Sequence, residues 1–133
     1  MEHRSSIEIN TEWDIVAARQ LGRNEAKSTG FGTVDQARIT TAISELARNI
    51  YLYAGKGRIE IESVQVGPRV GLIITASDDG PGISDLQKVM TDGYTTSGGL
   101  GAGMPGVKRL MDDFSVETEV GIGTTITATK WLH

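Results

Sequence analysis

Apolar residues follow two different periods along this chain, and the places where one period gives way to the other mark out its elements. In SSIEIN (5–10), Ile7 and Ile9 alternate with polar neighbours, as in a strand covered on one face. TEWDIVAARQLGRNEAKSTGFG (11–32) reads as a helix, with Thr11 as N-cap, Asp14 three residues on, and Gly30 as its stop. TVDQARITTAISELARNIYLYAG (33–55) reads as a second helix, opened by a Thr33/Gln36 capping box and ended at Gly55. Its stripe of Ile39, Ile43, Leu46, Ile50 and Ala54 keeps helical spacing.

Beyond Gly55 the period becomes two. Ile59, Ile61, Val64 and Val66 predict a strand whose phase slips near Ser63, as at a bulge. Gly67-Pro68-Arg69 turns the chain into a strand over Val70–Ser77, completing a hairpin. SDLQKVM (84–90) has the form of a short helix capped by Ser84. A glycine-rich stretch (93–103) precedes MPGVKRLMDDF (104–114), a helix with Pro105 in its first turn. Phe114–Val120 and Thr124–Leu132 alternate again around GIG (121–123), a second hairpin. One-sided strands predict a two-layer α/β sandwich, with a mixed, mostly antiparallel sheet covered on one face by helices. No repeat or linker divides residues 1–133, so one folding unit is expected.

Composition narrows the function. The chain has 38% hydrophobic and 23% charged residues, as in a soluble globular protein, and no apolar run long enough to span a bilayer. The cytoplasm is the expected location. With no cysteine, disulfides, thiolate zinc sites and cysteine nucleophiles are excluded. A net charge of −4 with dispersed basic residues argues against nucleic acid as partner. Both histidines, His3 and His133, lie near the termini, away from any candidate catalytic cluster.

Four constellations remain. Strand phase puts Asp78 of TASDDGPGIS (75–84) on the face of Val70, Leu72, Ile74 and Ala76, and turns Asp79 outward as the turn former. An inward carboxylate needs donors, and the N6 amine of adenine is one, although Asp-Gly-Pro-Gly also makes an ordinary turn. Glu45 and Asn49 of ELARN stand one above the other on the second helix, a carboxylate and an amide suited to a general base beside a Mg²⁺ ligand, or to a solvated flank. TTSGGLGAGMPGV (95–107) offers backbone that can approach phosphates ahead of a helix start, or a plain surface loop. It has no Lys or Arg before Lys108, so phosphate charge would fall to Mg²⁺, backbone N–H groups and hydroxyls such as Ser97. Thr124 of GIGTTITA shares a face with Ile126 and Ala128 and points inward beside Asp78. A P-loop and the protein-kinase motif set are both absent.

In order and spacing these motifs resemble the GHKL superfamily of ATP-binding proteins: gyrase, Hsp90, histidine kinases and MutL. ELARN resembles its N box, DDGPG and GAG (101–103) its glycine boxes, and GT (123–124) its closing threonine motif. The resemblance implies a Bergerat-type fold that binds ATP and Mg²⁺. It makes Glu45 the general base, Asn49 the Mg²⁺ ligand and Asp78 the acceptor for adenine N6. Gly80 and Gly82 would line the base pocket, Gly101 and Gly103 the phosphates, and Thr124 would join Asp78 through water. Across nearly the whole chain, TEWDIVAARQLGRN, FGTVDQARITTAISELARNIYLYAGKG and TSGGLGAGMPGVKRLMDDFSV resemble the anti-sigma-factor serine/threonine kinases of the RsbT type, the switch kinases of the bacterial stressosome. That implies STAS-domain substrates (RsbS- and RsbR-like) and a downstream output protein such as an RsbU-like PP2C phosphatase. The alternative is an anti-sigma factor of the same fold that sequesters a sigma subunit. The catalytic half of a histidine kinase fits less well, because the chain has no dimerisation helices and no central histidine.

Overall fold

The structure is a computed structural model, and it describes residues 3–85, 90 and 103–132. Its elements run β1 (His3–Ile9), α1 (Glu12–Thr29), α2 (Thr33–Asn49), a π-helical turn (Ile50–Ala54), β2 (Gly57–Val66), β3 (Arg69–Asp78), α3 (Gly103–Leu110), β4 (Asp113–Glu119) and β5 (Gly123–Trp131). The described strands form one sheet in the order β1-β2-β3-β5-β4, and every neighbouring pair is antiparallel. The helix read over 84–90 rests mostly on residues outside the described ones.

Period two makes the inner face. Ile7, Ile59, Ala76, Ile126 and Val116 form one cross-strand row spanning all five strands. The helices lie on this face and bury Ala18 and Ala26 of α1, Ile39, Ile43 and Leu46 of α2, and Val107 of α3. Toward the Glu119/Gly123 end of the sheet the row becomes polar, with Asp78 opposite Thr124 and Thr124 opposite Thr118. The outer face carries Thr75, Thr125, Thr127 and Glu60, which explains why one-sided alternation was so legible.

At the start of α1, Asp14 Oδ2 accepts hydrogen bonds from the N–H groups of Thr11 (2.9 Å) and Asn10 (2.8 Å). These bonds hold its carboxyl below the usual aspartate range. Gly30 ends α1 at φ 109°, where a side chain would be strained. Gly22 lets α1 approach α2 closely, since a methyl group there would collide with Ile43 Cδ1.

Four readings need correction. Gly32, not Thr33, caps α2, and Gln36 spends its side chain on Phe31 O (2.7 Å) instead of closing a capping box. The helical stripe continues past Asn49 in π form, closed by Gly55 N–H to Ile50 O (2.9 Å). No bulge interrupts β2: Ser63 pairs with both His3 and Leu72 in unbroken register. The apparent slip arises because Val64 and Val66 sit on the outer face beyond the core's edge, Val66 being 60% exposed. Finally, α3 stops at Leu110, four residues before the expected end. Lys130 Nζ caps the Leu110 carbonyl (3.0 Å), and Asp112 N–H already bonds Thr129 O (2.9 Å) as the chain joins the sheet.

Candidate nucleotide-binding site

The amphipathic stripe that packs α2 on the sheet also orients its other faces. Glu45 lies beside that stripe and is only 5% exposed, and its Oε2 is buried with no hydrogen-bond partner among the described residues. A buried polar atom left unpaired costs about 1–3 kcal/mol, more when charged, so this oxygen is held in place by packing at a standing cost. Asn49, one turn on, is half-buried at the end of α2. The π-turn follows directly, a local form often found beside functional sites. Its Ala54 packs against the segment after β3, where a methyl group on Gly80 would stand 2.6 Å from Ala54 Cβ.

Strand phase is correct for both aspartates: Asp78 is half-buried and Asp79 exposed. The turn role is not as expected. Asp78 itself makes the turn bond, its Oδ1 accepting Gly80 N–H at 2.9 Å, while Oδ2 is engaged by none of the described residues. Thr124 is 8% exposed and directly opposite Asp78, as its alternation implied.

Sequence reasoning passed over Thr118. Its Oγ1 accepts Ile83 N–H (2.9 Å) and stands 2.9 Å from Thr124 Oγ1 and 3.2 Å from Gly123 O. The signal was available, because Phe114, Val116 and Thr118 share the inner face of β4. With Gly121 N–H bonded to Pro81 O (2.9 Å), Thr118 fastens the DDGPGI segment to the β4–β5 hairpin. Gly82 is required for that closeness: it sits at φ 76°, and a methyl group there would strike Glu119 O. Gly80 and Gly82 therefore answer to Ala54 and Glu119 of the protein itself, beyond any purine plane.

Gly103 opens α3 at φ 65°, with Met104 and Pro105 buried behind it. Gly101 and Ser97 lie outside the described residues. Lys108 is exposed. Among the described residues no group of three or more His, Asp or Glu could hold a metal. Glu45 and Asn49 do offer the hard oxygen donors that suit Mg²⁺, an ion that keeps several waters and takes its other oxygens from substrate phosphates.

Over residues 34–133 the chain matches the histidine kinase-, DNA gyrase B- and HSP90-like ATPases, a family that binds ATP. It is 70% identical to the serine/threonine-protein kinase RsbT of Bacillus subtilis (strain 168), over 100% of both chains. An anti-sigma F factor of Caldanaerobacter subterraneus is 32% identical over 72% of this chain and 70% of that one. The RsbU and RsbW domains of a Mycobacterium tuberculosis protein share the fold at a TM-score of 0.58 and 20% identity, over 95% of this chain and 32% of that one. The mycobacterial sensor histidine kinase MprB does so at 0.53 and 16%, over 97% of both. The chain belongs to the histidine kinase-, DNA gyrase B- and HSP90-like ATPase family and, within it, to the serine/threonine protein kinases of the RsbT type.

Proposed function

We propose that this chain is a one-domain cytoplasmic kinase that transfers the γ-phosphoryl group of ATP to Ser or Thr on STAS-domain proteins of the RsbS and RsbR kind. Once released from them, it activates an output protein such as an RsbU-like PP2C phosphatase in bacterial stress signalling. The observation that carries the reading is Glu45: a carboxylate held at 5% exposure with one oxygen unpaired among the described residues, one helical turn from Asn49. A fold keeps such a group where chemistry uses it.

Each residue then has a task. Asp78 Oδ2 accepts from the adenine amine, and Thr124 supplies a hydroxyl at the same edge. Asn49 holds Mg²⁺, which neutralises phosphate charge when bound. Gly101 and Gly103 let backbone approach the phosphates. Glu45 takes the proton of the incoming hydroxyl as its oxygen bonds to the γ-phosphorus and the bond to the ADP oxygen breaks. Phosphoryl transfer depends on positioning and charge neutralisation, so turnover needs an acceptor that presents its hydroxyl in line.

The test is to incubate the protein with γ-labelled ATP, Mg²⁺ and a STAS protein from the same genome. Label is expected on Ser or Thr of the partner with wild type and not with Glu45→Gln. Equal labelling by both would overturn the assignment of the base. The resemblance to anti-sigma F factors supports a second reading, in which the same fold sequesters a sigma subunit. Co-purification with a sigma factor instead of a STAS protein would favour it.

A further inference from the structure

Among the described residues, two enclosed polar atoms of α2 have no hydrogen-bond partner: Glu45 Oε2 and, one turn away, Arg48 Nε. We infer that Arg48 is the cationic contact for the γ-phosphate of the bound nucleotide. The inference deepens the ATP-site reading and rests on it.

Helical phase supplies the geometry. Val34, Ala37, Arg38 and Thr41 of α2 line an open cavity with Leu110, the last residue of α3. At 3.6 residues per turn, Glu45 and Arg48 continue that stripe along α2. Helix α3 packs on α2, and its carboxy-terminal end lies by the first turns of α2, where Lys130 Nζ joins Leu110 O (3.0 Å) and approaches Asp35 (3.9 Å). Its amino terminus at Gly103, the expected phosphate end, lies at the opposite end of the helix from Leu110. The cavity end of the stripe is open, with Val34 62% exposed; the far end buries a carboxylate oxygen and a guanidinium nitrogen.

Chemistry supplies the ligand. A guanidinium stays charged at any physiological pH, and its planar fork matches phosphate oxygens two at a time. Leaving its N–H buried and unpaired is costly unless an anion takes it in the working state. Residues 92–103 contain no Lys or Arg, so the phosphates lack a cation from that side. Lys108 is exposed. Arg48, half-buried with its Nε enclosed, lies one turn from the proposed base.

Titration calorimetry with ADP and with the non-hydrolysable analogue AMP-PNP, in the presence of Mg²⁺, tests the inference without an acceptor protein. Wild type should prefer AMP-PNP. In Arg48→Gln that preference should fall tenfold or more, with ADP affinity within twofold of wild type, and Arg48→Lys should restore part of it. Equal weakening of both nucleotides, or an unchanged preference in Arg48→Gln, would overturn the assignment. So would a wild type that binds both nucleotides equally. A wild type that binds neither would instead overturn the ATP-site reading on which the inference rests. Thermal unfolding of Arg48→Met, which keeps the apolar stem, checks the fold: stability at or above wild type is expected, and a large loss would mark Arg48 as a packing residue.

Discussion

Asp78 and Thr124 face each other across β3 and β5 on the covered side of the sheet, where the last apolar row gives way to polar side chains. Because Asp78 Oδ1 is committed to Gly80 N–H, a substitution that keeps one acceptor can spare the turn and still alter the free oxygen. Asp78→Asn should weaken ATP binding by about 10- to 100-fold, since an amine facing adenine N6 replaces a charged acceptor whose bond is worth about 1.5–3 kcal/mol. Calorimetry checks the affinity. Thermal unfolding should be little changed, and a collapse of the fold would show that Asp78 is structural.

Glu45 should reveal itself by opposite effects on activity and stability. Glu45→Met removes a buried unpaired oxygen, so the unliganded protein should gain about 1–3 kcal/mol in urea unfolding. Phosphoryl transfer should fall by about 10²–10⁴, the usual worth of a positioned base. A variant that loses both stability and activity would point to a packing role.

Asp14 gives the fold an acid-sensitive corner. Its carboxyl is held below the ordinary range by the N–H groups of Asn10 and Thr11. A group with a depressed folded-state pKa contributes stability above its unfolded value, near pH 4, and loses it as pH falls through the folded value. Asp14→Asn should therefore lower the urea midpoint at pH 7, and the gap from wild type should close below about pH 4. A gap that persists in acid would remove the carboxylate from the account.

Gly22 sets helix propensity against packing. Alanine in mid-helix gains about 1 kcal/mol over glycine. The added methyl would meet Ile43 Cδ1, whose side chain is fully buried, so that swinging it aside must displace packed neighbours. Overpacking costs about 1–3 kcal/mol, so Gly22→Ala should be net destabilising in urea unfolding. Adding Ile43→Val, which removes the struck methyl, should recover much of the loss. Stabilisation by Gly22→Ala alone would mean that the α1–α2 contact is looser than described.

How much could be read in advance depended on whether a feature is local. Alternation alone put Asp78 and Thr124 on one face, and Thr11 with Asp14 located the start of α1. The misreadings came where distant partners decide. Thr33 looked like a cap until Gln36 was found reaching back to Phe31. Val64 and Val66 looked like a phase slip because sequence cannot show where the helical layer ends. The end of α3 is set by Lys130, twenty residues later. Arg48 escaped notice because a guanidinium with an enclosed Nε and one fully in solvent look alike in a sequence. Gly101 could be proposed from its motif but lies outside the described residues.

Two hydrogen bonds, from Gly121 N–H to the Pro81 carbonyl and from Ile83 N–H to the Thr118 hydroxyl, fasten the segment after β3 to the β4–β5 hairpin. Their consequence is a division of labour. On the proposed reading, the half of the cleft assigned to the base is a template set during folding, so choosing adenine over guanine would cost little ordering when a nucleotide arrives. Binding energy from the base could then be directed to the other half, assigned to the phosphates between α2 and α3, which must be aligned for an acceptor that is still to come.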